Sequence, residues 1–223
     1  MSVYAISDLH LPLGINKPMN IFGREWDDYV ERIFENWNKT INENDAVLIC
    51  GDISWATYLQ QAKADFDYLN KLPGIKIISK GNHDYWWSTM AKLENFLEEN
   101  GCKNFVFLHN NAYLYENIAI CAARGWKSPF DKDFNKEDEK IYERELLRLR
   151  LSLTEGKKLS DEIVAMVHYP PDFAVSELLD EFGVRICVYG HLHGRYAWER
   201  SSDNPRYILV SADYLEFIPR KIL

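Results

Sequence analysis

The run Ile75-Lys76-Ile77-Ile78-Ser79-Lys80-Gly81-Asn82-His83-Asp84 decides how this chain is to be read. Its first half is a short apolar run of a length that suits a buried strand. Its second half turns through a glycine into amide, imidazole and carboxylate side chains. A glycine lets the chain turn sharply as it leaves a strand, so polar groups that follow it stand at the strand's carboxyl end, where α/β sheets bind ligands.

The same arrangement recurs on both sides of that run. Upstream, the apolar run 46–50 ends in Gly51-Asp52, and the run 3–7 leads into Asp8-Leu9-His10. Downstream, the run 163–167 is followed at once by His168, and the run 185–189 by Gly190-His191-Leu192-His193. Further strands are predicted at 104–108, 118–122 and 207–211. Amphipathic helices are predicted at 25–42, 57–71, 88–100, 136–154 and 174–182. Strands alternating with helices specify an α/β layered fold. A late polar hairpin is predicted from 195–199 and 207–211, with its turn at 201–205 (SSDNP).

At 223 residues and 47% hydrophobic content the chain can bury one sizeable core, so a single domain over 1–223 is the expectation. The segment 124–158 departs from the rhythm: an irregular loop, then a long helix with Asn135 as its cap. It is read as a packing helix or as a cap-like insertion over the site. A formal net charge of −8 gives no broad electrostatic attraction for nucleic acid or an anionic membrane. Cys50, Cys102, Cys121 and Cys187 are scattered and form no CxxC pair, which points to buried free thiols in a reducing compartment. MSVYAISDLH enters a strand pattern directly, without the features of a secretory leader, and no apolar stretch reaches the length of a membrane span. A cytoplasmic location is expected.

Each polar block has an ordinary reading when taken alone. A D-x-H is a surface loop, a Gly-Asp is a turn, and a single histidine after a strand is more often a hydrogen-bonded structural residue than a ligand. The joint pattern outweighs these readings. Five of the six histidines stand at strand ends, and four of them, all but His168, have an Asp, an Asn or another His within two residues. In an extended segment Asp8 and His10 would point to the same side, and so would His191 and His193. Imidazole, carboxylate and amide donors together suit borderline divalent metals, with Mn first and Fe or Zn as alternatives.

Asp8-x-His10, Gly51-Asp52, Gly81-Asn82-His83-Asp84, His168 and Gly190-His191-x-His193, in this order, resemble the calcineurin-like metallophosphoesterases. The resemblance runs from residue 8 to residue 193. It implies a four-layer sandwich of two packed β-sheets flanked by helices. It also implies two divalent metal ions: Asp8, His10 and His193 on one, Asn82, His168 and His191 on the other, and Asp52 bridging both, with one carboxylate oxygen for each. His83 is then the catalytic acid. The implied reaction is hydrolysis of a small-molecule phosphomonoester or phosphodiester by a metal-bridging hydroxide. Two dications less two carboxylates and one hydroxide leave about +1 locally, which explains how an acidic protein attracts phosphate.

The sequence departs from the phosphoprotein phosphatase branch at one point. Three residues after Asp52 stands Trp55, where that branch has an aspartate that orients the catalytic histidine. Asp84 or the backbone is left to orient His83, and a small phosphoester is favoured over a phosphoprotein. Trp55, Trp86, Trp87 and Trp126 fall near the blocks, either as loop packing or as a stacking wall for a nucleobase or aryl group. Arg124 is a candidate for substrate phosphate or for a surface ion pair. His109 lies outside every block and is read as structural. Two competing readings remain: a non-catalytic metal-binding scaffold, and a nuclease, which would call for a basic groove. The partners expected are a small-molecule phosphoester and no membrane, with nucleic acid disfavoured.

Overall fold

The structure is a computed structural model that describes residues 1–194 and 206–223. The expected hairpin rests on 195–205, which lie outside the described residues.

Two five-stranded mixed sheets pack face to face. The first has the order β10 (Arg220–Lys221), β1 (Val3–Ala5), β2 (Ala46–Ile49), β3 (Ile75–Ile78), β4 (Phe105–Phe107), parallel except at β10. The second has the order β5 (Ala112–Tyr115), β6 (Ile118–Ala123), β7 (Glu162–Val167), β8 (Ile186–Tyr189), β9 (Arg206–Leu209), parallel except at β5. Helices α1 (Tyr29–Thr40), α2 (Lys63–Asn70) and α3 (Met90–Glu99) cover the first sheet, and α4 (Lys136–Leu159) and α5 (Phe173–Glu181) cover the second.

The strands read as continuous apolar runs because both of their faces are buried. In β2, Ala46 and Leu48 enter the layer between the sheets, while Val47 and Ile49 face α1 to α3. In β7, Val164 and Met166 face inward, and Ile163, Ala165 and Val167 meet α4 and α5. Each fully buried Val, Leu, Ile or Met among them contributes roughly 1.5–3 kcal/mol, and the alanines less. All four cysteines are free and buried in these layers.

Apart from the hairpin strand at 195–199, every predicted strand and helix has a counterpart, with shifted ends. The helix expected at 57–71 begins only at Lys63, because the Gln61 Oε1 accepts the amides of Thr57 and Tyr58 and holds those residues in a turn. The helix expected from 25 begins at Tyr29 after a left-handed Asp28 (φ 51°). Two edge strands, β5 and β10, escape the pattern. Strand β5 is only half buried, and it joins β6 through a turn at Glu116 (φ 54°) that carries no glycine signal.

Of the two readings of 124–158, a packing helix or a cap-like insertion, α4 has the packing of the first: it is a layer of the sandwich on β5, β6 and β7. Asn135 caps it as expected, in a capping box with Asp138. Leu149, Ser152, Leu153 and Gly156 face the sheet. A Cβ on Gly156 would lie 2.2 Å from Cys121 Sγ, so the glycine sets how closely helix and sheet approach.

Lys76 is a charge in the wrong place for this core. It alternates to the helix side of β3, fully buried, where Nζ donates to the Leu72 carbonyl and lies 5.4 Å from the Phe105 ring. Burial pushes its pKa down to about 8. An unfolded lysine titrates near ~10.4, so between those values the unfolded chain holds more protons and stability rises with pH. Lys76→Met is therefore expected to gain stability relative to wild type at pH 7. That advantage should shrink, by on the order of 2 kcal/mol, as the pH passes from 8 to above 10. Urea denaturation of both proteins across that range measures the gap.

Candidate metal centre

The predicted ligands come from loops at the carboxyl ends of β1, β2 and β3 in one sheet and β7 and β8 in the other. Strand alternation does not bring them together. Strand β1 stops at Ala5, and Asp8 (φ 56°), His10 (φ 46°), Asp52 (φ 52°) and His191 (φ 70°) all adopt left-handed backbone. For residues other than glycine this costs about 1–3 kcal/mol each and persists only where the surroundings enforce it. Here amide bonds between the loops do so: Asp8 N to Gly51 O at 3.1 Å, His10 N to Asp52 O at 3.0 Å and Leu11 N to Ile53 O at 2.8 Å. The His191 amide is held by the Asp8 carboxylate at 3.1 Å. Gly190 serves close approach rather than a turn, since a Cβ there would sit 2.3 Å from Asp8 Oδ2.

Two sets of donors result. Ligand atoms of Asp8, His10 and His193 lie within 4.8 Å of one another, and so do those of Asp8, Asp52 and His168. His10 Nε2 is 3.4 Å from His193 Nε2. Asn82 Oδ1 is 2.5 Å from His168 Nε2 and 3.0 Å from His191 Nδ1. Asp52 Oδ2 stands between the sets, 3.9 Å from His10 Nε2 and 3.5 Å from His168 Nε2. Its Oδ1 accepts the His83 amide at 2.8 Å. Oδ2 thus approaches a histidine of each set, while Oδ1 is engaged by the His83 amide.

The donor set fits a divalent cation. Burial lowers the pKa of His10 and His168, which keeps their rings neutral with a lone pair available. Burial also raises Asp8 and Asp52, two carboxylates whose recorded charge partners among the described residues are histidines and not Lys or Arg. His168 Nδ1 lies 3.0 Å from the Cys50 carbonyl, which holds the proton on that nitrogen. Its Nε2 lone pair then faces the lone pairs of Asn82 Oδ1 and Asp52 Oδ2. Acceptors facing acceptors in a buried pocket repel one another unless a cation lies among them.

Asp84 does not orient His83. Its fully buried carboxylate accepts the amides of Asp52 (2.8 Å), Ile53 (3.0 Å) and Gly81 (2.8 Å) and the Trp86 indole N–H (3.0 Å). His83 is packed by rings instead: Trp55 at 4.9 Å, His10 at 5.7 Å and Tyr85 at 6.1 Å. Trp55, in the place of the missing aspartate, also stacks on His10 at 4.5 Å. Of the four tryptophans singled out, only Trp55 borders the His10, His83 and His193 rings. Trp86 and Trp87 pack against Phe107, and Trp126 lies under the Arg124 guanidinium. Arg124 is not brought into the cluster. Its Nη2 pairs with the buried Glu145 at 3.2 Å, which also holds Arg148 at 2.8 Å. His109 stands beside that ion-pair group, away from the ligands.

A model of the calcineurin-like phosphoesterases matches residues 1–195. The chain belongs to that family. No curated protein sequence matches it. Among solved structures it is similar to a protein of unknown function, AQ665, from Aquifex aeolicus, with 16% identity, a TM-score of 0.54 and coverage of 99% of this chain and 95% of that one. It is also similar to GAP50, the anchor in the inner membrane complex of Plasmodium, with 14% identity, a TM-score of 0.51 and coverage of 96% and 72%. A third is the sulfate thiohydrolase SoxB of Thermus thermophilus, with 13% identity, a TM-score of 0.50 and coverage of 95% and 52%. At these identities the likeness establishes the fold.

Sequence reading missed Asp213. Its Oδ1 lies 3.1 Å from His193 Nδ1, and its Oδ2 accepts the Gly194 amide at 2.7 Å. Against the depressing effect of burial, Asp213 and Asp8 raise the His193 pKa. The contact holds the proton on Nδ1 and turns Nε2 toward Asp8 and His10. The available signal was a carboxylate just past the strand predicted at 207–211. Asp213→Asn is expected to weaken metal binding by roughly 10–100-fold while leaving the unfolding midpoint of the metal-free protein nearly unchanged. Calorimetric metal titration alongside thermal melts checks both.

Proposed function

We propose that the chain is a dinuclear metal-dependent phosphoesterase acting on a small-molecule phosphomonoester or phosphodiester. The observation that carries this reading is the convergence of two donor sets that share Asp8, with Asp52 Oδ2 of the second set 3.9 Å from His10 Nε2 of the first and 3.5 Å from His168 Nε2. Asp8, His10 and His193 would hold one cation, Asn82, His168 and His191 the other, and Asp52 both. Divalent ions bound there would supply Lewis-acid polarisation of a phosphoryl oxygen and a lowered pKa for bound water. The mixed donors favour Mn, with Fe or Zn as alternatives.

His83 stands apart from the ligand atoms. Its amide is anchored on Asp52, and its ring lines the cavity beside the centre. Burial, Lys17 and His193 lower its pKa, so the ring is neutral at pH 7 until an anionic ester arrives and favours its protonation. It then donates that proton to the departing oxygen, an effect worth roughly 10²–10⁴ in rate. Lys17, with Nζ 3.2 Å from the centroid of the Trp55 ring, adds positive charge on this side. Arg124, tied to Glu145, supports the loop before His168 through its carbonyl, which accepts the His168 amide at 2.9 Å. That favours a bracing role over the phosphate contact predicted from sequence.

The net charge of −8 argues for a small ester over nucleic acid. Four buried free thiols support a reducing, cytoplasmic setting. Among the described residues no helix is long and apolar enough to cross a membrane.

Protein loaded with Mn, Fe or Zn and then desalted should retain close to two metals per chain by elemental analysis, and Asp52→Asn should lower the content of both sites together. It should hydrolyse at least one class in a panel of aryl monoesters, aryl diesters and nucleotides. Metal binding without turnover on any of them would return the scaffold reading. His83→Ala is expected to keep its metals and to lose far more kcat on alkyl esters than on activated aryl esters, whose phenolates depart without a proton. Equal losses on both ester types would make His83 a phosphate contact only.

A further inference from the structure

Beside His10, His83 and His193 opens a cavity of about 410 Å³, well above what a phosphate group needs and within the range of small-molecule sites. Its walls are built by the segment between β1 and α1, together with Trp55. Met19 and Trp26 form the floor, 4% and 3% exposed. Trp26 is fixed edge-on by Tyr29 at 5.2 Å and Phe217 at 5.2 Å, and it meets the His193 ring at 5.8 Å. The Trp55 indole N–H is taken up by Met19 Sδ at 2.9 Å, and its ring is stacked on His10 at 4.5 Å with Lys17 Nζ 3.2 Å from its centroid, so Trp55 leaves no free N–H in the wall.

Two features say what would enter. Phe22 is 58% exposed at the mouth and makes no ring contact among the described residues. An apolar side chain left half in water over an apolar cavity gains from a ligand that covers it. The other feature is charge. Lys17 stands over the Trp55 ring, but in the lining itself the charges are the carboxylates of Glu25, exposed, and Asp213, already engaged by His193 and Gly194. A second anionic group on the ligand would be repelled there, while the phosphoryl group would lie toward the metal ligands.

We infer that this cavity takes an uncharged, ring-bearing group of the ester, on the His83 side of the phosphorus, with Phe22 packing against it and Glu25 selecting against further negative charge. The inference rests on the phosphoesterase reading above. It narrows the substrate class to esters of neutral aromatic or similarly bulky apolar alcohols, and it disfavours esters whose alcohol carries additional phosphates or carboxylates.

Calorimetry on the Mn-loaded full chain tests it with non-hydrolysable probes. (1-Naphthyl)methylphosphonate should bind roughly tenfold or more tightly than methylphosphonate, from the apolar area it buries. Phe22→Ala should narrow that ratio several-fold. A naphthyl probe bearing a ring carboxylate should bind more weakly than its unsubstituted parent, and Glu25→Gln should bring the two closer together. Equal affinity for the naphthyl and methyl probes, or a ratio indifferent to Phe22→Ala, overturns the inference. Turnover of phosphoesters without a ring preference would do so while leaving the phosphoesterase reading intact. A ring preference in a protein that hydrolyses no phosphoester would overturn that reading and keep the cavity assignment.

Discussion

The carboxylate of Asp84 accepts the amides of Asp52, Ile53 and Gly81 and the indole N–H of Trp86, and the geometry of the metal centre depends on that one buried group. Four donors for one carboxylate offset the cost of burying it. They tie the loop after β2 to the loop after β3, which lets the Asp52 carboxylate receive the His83 amide and keep Oδ2 between the two histidine sets. Trp86 carries the tie into the core, edge-on to Phe66 at 5.3 Å. A site that has to hold its donors against mutual repulsion needs such a fixed frame behind it.

Strain and charge burial concentrate at the same few residues. Left-handed backbone at Asp8, His10, Asp52 and His191, neutral imidazoles and unbalanced carboxylates all raise the energy of the folded chain at its centre. The apolar layers on both sides of the two sheets supply the compensating stability. Each ligand loop leaves a strand buried on both faces, so the backbone on which the strained turn stands does not give.

The tryptophans show how one residue type divides among tasks. Trp37 and Trp86 fill the helix-side core, Trp126 lies beneath Arg124, and Trp26 and Trp55 wall the cavity next to His83. At Trp55 a ring stands in place of the carboxylate, and His83 is held by a tilted ring contact in place of an ion pair. Packing of this kind restrains the ring without setting its charge.

Strand order along the chain, the helices between the strands and the ligand types at the strand ends were legible in the sequence, because each is local. A buried strand shows its apolar run, a helix its periodicity, and a metal its demand for imidazole and carboxylate. What the sequence could not convey depends on segments far apart meeting in space. The convergence of Asp8 and His10 is made by left-handed turns locked across loops rather than by strand alternation. Asp213 reaches His193 only because β9 lies beside β8. Trp26 reaches His193 only because the segment before α1 folds over the strand ends. Asp84 looked like a partner for His83 and proved to be the tie between two loops. Local pattern sets which groups are available, and the pairing of the two sheets decides which of them touch.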